Sequence, residues 1–267
     1  MESTTLRIER RDHVAWVTLD RPEALNAMNR ALVRELRAFF SGLAEDRETR
    51  VVILRGAGRA FCAGLDLKES ASADSANDGS VQAGLRAQRR ISELVIMMRR
   101  APQPIIACVH GAACGGGFAL ALGADVRLAG QSARMNAAFI RIGLSACDVG
   151  VSYFLPRMVG ASVAAELLLT GNFIDAARAE RIGLVSRVVP DGELAAAAQA
   201  LADDILRNSP LGVRLTKECL NASLDAGSLE QVIALEDRNQ ILCTRTADFR
   251  EGVTAFLQKR PPQYGDQ

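Results

Sequence analysis

Twice in its first half the chain runs from a short apolar stretch into small, glycine-rich residues and then into helix-forming sequence. The first passage is 51–54 (VVIL), followed by Arg59-Ala60-Phe61-Cys62-Ala63-Gly64-Leu65-Asp66-Leu67. The second is 104–109 (PIIACV), followed by His110-Gly111-Ala112-Ala113-Cys114-Gly115-Gly116-Gly117. Apolar runs of this length bounded by turn residues predict buried strands, and strands alternating with helices predict a layered α/β fold.

The flanking sequence agrees. Residues 13–20 (HVAWVTLD) alternate apolar and polar and predict a half-buried strand. Leu32, Leu36, Phe39 or Phe40, and Leu43 recur at helical spacing, with Asn29 placed to cap the helix. Residues 125–129 and 183–189 predict further strands, with a helix over 161–169 between them. Residues 70–84 (SASADSANDGSVQAG) are small and polar and predict a loop. Beyond Asp191 only helical patterns remain, over 193–207, 211–224, 229–242 and 247–257. The chain therefore divides into a core, 1–192, and a helical region, 193–267. That region is too thin to bury itself and needs the body or a neighbouring subunit.

Charge excludes some partners. With 32 basic and 31 acidic residues the formal net charge is +1, which provides no general field for nucleic acid or a membrane surface. The six cysteines form no CxxC pair and have no histidine cluster beside them, which disfavours a metal site. The opening MESTTLRIERRDHVAWVTLD is unlike a signal peptide, and no apolar run approaches a membrane span. These features predict a reducing cytoplasm, with the cysteines as buried small hydrophobes.

In the first loop, Asp66 to Glu69 has the form of a capping box. Backbone N–H groups at a helix start lack partners and can face an anion or a polarised oxygen. In the second loop three consecutive glycines let a ligand approach the main chain. Neither loop ends in the Lys-Ser/Thr of a P-loop or has dinucleotide spacing. Each alone is compatible with plain turn geometry; two after buried strands can converge on one oxygen.

FCAGLDL, HGAACGGGFALALGADVRLA and DFREGVTAFLQKRPP resemble the enoyl-CoA hydratase/isomerase (crotonase) superfamily, as do DRPEALNAMN and AERIGLVSRVV. The resemblance spans essentially the whole chain in order. It implies a spiral of ββα units, a helical C-terminal trimerisation region, and a homotrimer or hexamer. It implies an acyl-CoA thioester as substrate, with coenzyme A entering as part of that substrate rather than as a separate cofactor. The N–H groups of Ala63 and Gly116 would stabilise the enolate-like thioester oxygen, one such donor being worth roughly 3–4 kcal/mol in the transition state. Ala24, Gly64, Leu65, Asp66 and Leu67 would line the coenzyme A and pantetheine path. Phe256 and Lys259 would touch the adenine or phosphates, although Lys259 is equally a solvated helix end.

Hydration of a double bond needs a positioned acid and base. The two glutamates that hydratases of this family use fall here on Ala119 and Phe139, which move no protons. Asp148, in Gly143-Leu144-Ser145-Ala146-Cys147-Asp148-Val149-Gly150, resembles the Asp-x-Gly stretch of isomerases and a dehalogenase in the superfamily, with one extra residue before the aspartate. Asp148 is either the proton carrier of an enoyl-CoA isomerase or the cap of the following helix. Three readings stay open: isomerisation through Asp148, hydratase or lyase chemistry with atypical residues, and a catalytically silent acyl-CoA-binding member. His110 reads as a hydrogen-bonded structural residue, Cys147 as a buried thiol, and Asp66 as a helix cap.

Overall fold

The computed structural model describes residues 5–69 and 80–265. The apolar runs lie side by side in one twisted sheet, formed among the described residues by β1 (Leu6–Arg11), β2 (Val14–Leu19), β3 (Val51–Gly56), β4 (Ile105–Val109), β6 (Val126–Gly130) and β9 (Arg187–Val189), in that spatial order. β1 and β2 pair antiparallel; every other neighbouring pair is parallel. Parallel strands carry helices on both faces, which is why their sequences are continuously apolar. The same geometry overturns the half-buried expectation for 13–20, since every residue of β2 is buried. One face of β2 packs Ala15, Val17 and Leu19 into the main core, and the other packs Val14 and Trp16 into a second one.

A smaller sheet is made of β5 (Ala112–Cys114), β7 (Arg134–Asn136) and β8 (Ile174–Asp175). The chain repeatedly leaves the large sheet, touches the small one and enters a helix. After β4 and β5 comes α3 (Gly116–Gly123); after β6 and β7 come α4 (Val151–Val159) and α5 (Ala161–Thr170). That is the expected spiral of ββα units.

Asn29 caps α1 (Arg30–Gly42) as expected, its side-chain oxygen accepting the Leu32 N–H at 2.9 Å. Val81 to Gly84, expected as loop, already belong to α2 (Val81–Arg100), capped by Ser80; the rest of the predicted loop, 70–79, lies outside the described residues. α6 (Ala176–Arg181) joins β8 to the strand at 187–189, and the predicted strand 183–189 begins only at Arg187 because Gly183, at φ 74°, turns the chain first.

The helices after Asp191 are α7 (Leu194–Leu206), α8 (Pro210–Ser223), α9 (Leu229–Thr244) and α10 (Ala247–Leu257). α7 lays Leu194, Ala198 and Ala202 on Trp16, Ile53, Ile106 and Leu128, so it covers the second face of the large sheet and the body continues through it. α8 is pinned by a buried charge: Lys217 Nζ lies 2.7 Å from Asp125 Oδ2 and donates to the carbonyls of Met98 at 3.1 Å and Gln103 at 2.8 Å. Burial lowers the pKa of this ammonium, against the opposing pull of Asp125. Removing one partner of such a pair costs about 3–5 kcal/mol.

Candidate active site

The two glycine loops are locked to each other through their main chains. Phe61 N–H donates to the His110 carbonyl at 2.8 Å, Cys62 N–H to Ala112 at 2.9 Å, and Cys114 N–H back to Cys62 at 3.0 Å. This interlock requires glycine. A Cβ on Gly117 would stand 2.1 Å from the Cys62 carbonyl oxygen, and one on Gly64 would stand 2.9 Å from that of Cys114. Gly64 and Gly115 also hold φ of 103° and 50°, which other residues rarely adopt.

The expected Ala63 donor does not survive. Leu25 sits at φ 51° and turns its carbonyl toward the loop, where it accepts the Ala63 N–H at 3.0 Å. The free N–H belongs to Leu65. Met28 pairs with Leu65 in a parallel bridge: its N–H donates to the Gly64 carbonyl at 2.7 Å and its carbonyl accepts the Asp66 N–H at 3.0 Å. That pattern uses the neighbours of Leu65 and leaves its own N–H without an acceptor among the described residues. The Gly116 N–H, at the first position of α3, likewise has none. The two lie close together, since a Cβ on Gly116 would stand 3.9 Å from Leu65 N.

Asp66 is a cap, as expected, and also an ion-pair partner. One carboxylate oxygen accepts the Glu69 N–H at 3.3 Å, and the other accepts Arg21 Nη1 and Nη2 at 3.1 and 3.0 Å. Burial works to raise its pKa, but the bonds from Glu69 and Arg21 outweigh it and hold the carboxyl below its usual range. The box is not reciprocal, because the Glu69 carboxylate takes the Arg30 N–H at 2.8 Å. Ala24, in the turn Pro22–Ala24, adjoins this loop through Leu25, and Leu67 is exposed beyond it. Phe256, 82% exposed, lines a cavity of about 380 Å³ with Phe249, Val253 and Tyr264 among the C-terminal helices. Lys259 lies just past α10, a helix that packs on α9.

The wall beside the loops is hydrocarbon. Ala119 is fully buried, and the Phe139 ring passes 3.5 Å from where a Cβ on Gly115 would stand. α3 packs against both α2 and α4, and Asp148 stands at the entry to α4. Its side chain is not the helix cap: Gly150 occupies that position, and Asp148 contributes only its carbonyl, to Val151 N–H at 2.9 Å. The half-buried carboxylate accepts Val149 N–H at 2.7 Å and Gln88 Nε2 at 2.5 Å, both on Oδ1. Oδ2 has no partner among the described residues. Val149 holds φ 46°, a conformation that strains a β-branched residue by about 1–3 kcal/mol.

Gln88 was missed in the sequence; its signal is a polar residue heading the inward stripe of α2. Cys147 is exposed rather than buried. All six cysteines are free, but only Cys62 and Cys108 are buried, and burial pushes both thiols up to about 12. His110 is structural as expected, with Nε2 2.9 Å from the Gly58 carbonyl.

Comparison with known proteins places this geometry. The profile of the family described as "Enoyl-CoA hydratase/isomerase" matches residues 9–267. "Probable enoyl-CoA hydratase EchA12" of Mycobacterium tuberculosis is 41% identical over 258 residues, covering 96% of this chain and 90% of that one. "1,2-epoxyphenylacetyl-CoA isomerase" of Escherichia coli is 38% identical over 251 residues, covering 94% of each. The crystal structure of enoyl-CoA hydratase from Bacillus anthracis superposes with a TM-score of 0.92 at 34% identity, covering 99% of this chain and 100% of that one.

Proposed function

The chain belongs to the enoyl-CoA hydratase/isomerase family, and we propose that it is an acyl-CoA-processing enzyme that shifts a carbon–carbon double bond by proton transfer through Asp148. The observation that carries this reading is the distribution of carboxylates. The two positions where hydratases of the family keep glutamates hold buried Ala119 and Phe139, and Asp148 offers one oxygen that has no partner among the described residues.

The thioester oxygen is received by the N–H groups of Leu65 and Gly116, which replace the Ala63–Gly116 pair expected from sequence. Stabilising charge on that oxygen acidifies the neighbouring carbons of the acyl chain. Asp148 removes a proton from one carbon, the electron pair spreads into a dienolate, and the same carboxylic acid returns the proton at another carbon. The hydrocarbon wall at Ala119 and Phe139 supplies no group to activate a water, which favours isomerisation over hydration. Coenzyme A enters as part of the substrate, along Ala24 and Gly64 to Leu67.

Association of copies belongs to the same proposal. Leu220, Leu229, Ile241, Phe256 and Leu257, on α8 to α10, leave large apolar side chains exposed on a single chain, and contact between copies in a trimer or hexamer would cover them. Phe256 and Lys259 would then complete the coenzyme A path. No helix among the described residues is long and apolar enough to cross a membrane. A cytoplasmic location rests on the free cysteines.

Mass-spectrometric screening of an acyl-CoA library, with Asp148→Asn as control, tests the reading. The expected result is an isomer of unchanged mass that the variant fails to produce. A gain of one water by the products would replace isomerisation with hydration, and binding without conversion would leave a silent acyl-CoA-binding member.

A further inference from the structure

Gln88 has no role in the chemistry described above, yet its placement is unusual. α2 turns Gln88, Ile91, Val95 and Met98 inward; Val95 and Met98 are buried and Ile91 packs on the core. Gln88 is the polar member of this stripe. A half-buried amide costs free energy unless its hydrogen bonds are made, and its Nε2 makes one, to Asp148 Oδ1 at 2.5 Å. The second donor on that oxygen is Val149 N–H, set by the strained φ of 46°. One oxygen of the carboxylate is thus held from two sides, by helix α2 and by its own loop, while Oδ2 is left without a partner among the described residues.

We propose that Gln88 is a positioning residue for Asp148, clamping Oδ1 so that Oδ2 is the oxygen that exchanges the proton with the acyl carbon. This rests on the reading of Asp148 as the proton carrier. In the step, the C–H bond breaks, its electron pair enters the conjugated thioester, and the proton forms an O–H bond on Oδ2. Delivery to the second carbon restores the carboxylate. Gln88 donates its hydrogen bond throughout and exchanges no proton. Proton transfer depends steeply on placement, an error of about 1 Å costing on the order of 10²-fold in rate. Loss of the clamp therefore falls on kcat rather than on KM.

Gln88→Leu keeps the volume and suits the stripe, but cannot donate. Wild type, Gln88→Leu, Asp148→Asn and the double variant are compared on whichever acyl-CoA of the library the wild type converts. Gln88→Leu should lower kcat roughly 10–100-fold with KM within about threefold, because substrate binding does not use the clamp. The double variant should match the residual turnover of Asp148→Asn within about twofold, since Gln88 acts through Asp148. Wild-type kcat in Gln88→Leu, or multiplied effects in the double variant, would overturn the proposal. Wild-type turnover in Asp148→Asn, or no acyl-CoA converted at all, would instead remove the proton-carrier reading beneath it. Should Gln88→Leu lower the thermal midpoint, Gln88→Met, unbranched and also without a donor, repeats the kcat and KM comparison.

Discussion

The two glycine loops and the stretch that carries Asp148 are held in opposite ways. Residues 61–66 and 111–117 are fastened main chain to main chain, and what they present is N–H, a group that every residue except proline carries. The stretch 143–150 is fastened by side chains, with Gln88 on Asp148 and buried Val149 under a strained φ, and what it presents is a carboxylate. The backbone part of a site keeps its chemistry through many substitutions, provided the chain can approach closely. The side-chain part changes chemistry with one residue. On the proposed reading, this is how Ala119 and Phe139 could replace the glutamates of hydratases while the two N–H groups beside them stay in place.

Three substitutions press on that contrast. Asp148→Asn has the largest expected effect: turnover should fall by roughly 10²–10⁴, the usual worth of a positioned acid–base group. Acyl-CoA affinity, read by calorimetry, and the thermal midpoint should stay near wild type. A parallel loss of stability would erase the distinction between the two segments. Gly117→Ala comes next. Its Cβ would meet the Cys62 carbonyl at 2.1 Å, and that oxygen already accepts the Cys114 N–H, so neither loop can yield alone. Denaturant unfolding should show a loss of about 1–3 kcal/mol, with weakened acyl-CoA binding alongside it. The smallest effect belongs to Asp66→Asn, which keeps a capping side chain and breaks the pair with Arg21. Because the folded carboxyl titrates below its unfolded value, the pair's contribution is complete above about pH 4 and disappears as pH falls through the folded value. The variant should be about 1 kcal/mol less stable at neutral pH, and urea titrations of both proteins should converge in acid.

Much of this was legible in the sequence. VVIL, PIIACV and the glycines after them placed the central strands and both loops, because buried parallel strands and close backbone approach leave few residue choices. Asn29 announced α1 by its capping oxygen. The short strands β5, β7 and β8 were not legible, since two or three residues carry no period. Nor was the identity of the first amide donor. Ala63 and Leu65 are indistinguishable until the bridge from Met28 and the turned carbonyl of Leu25 decide which N–H is consumed. Asp148 stood between cap and proton carrier because aspartate suits both. Position 150, not 148, turned out to cap the helix, and the partner on α2 lies 60 residues away, beyond any local pattern.

The interlock of the two glycine loops also bears on how the site behaves in time. Elements joined by reciprocal main-chain bonds fluctuate in common, so thermal motion of strand or helix should translate Leu65 and Gly116 together and leave the gap between them nearly constant. Their amide relaxation should accordingly be synchronous even where amplitudes are large. Thermal motion of the sheet is thereby filtered out of the separation between these two N–H groups, the distance on which the proposed grip on one oxygen would depend.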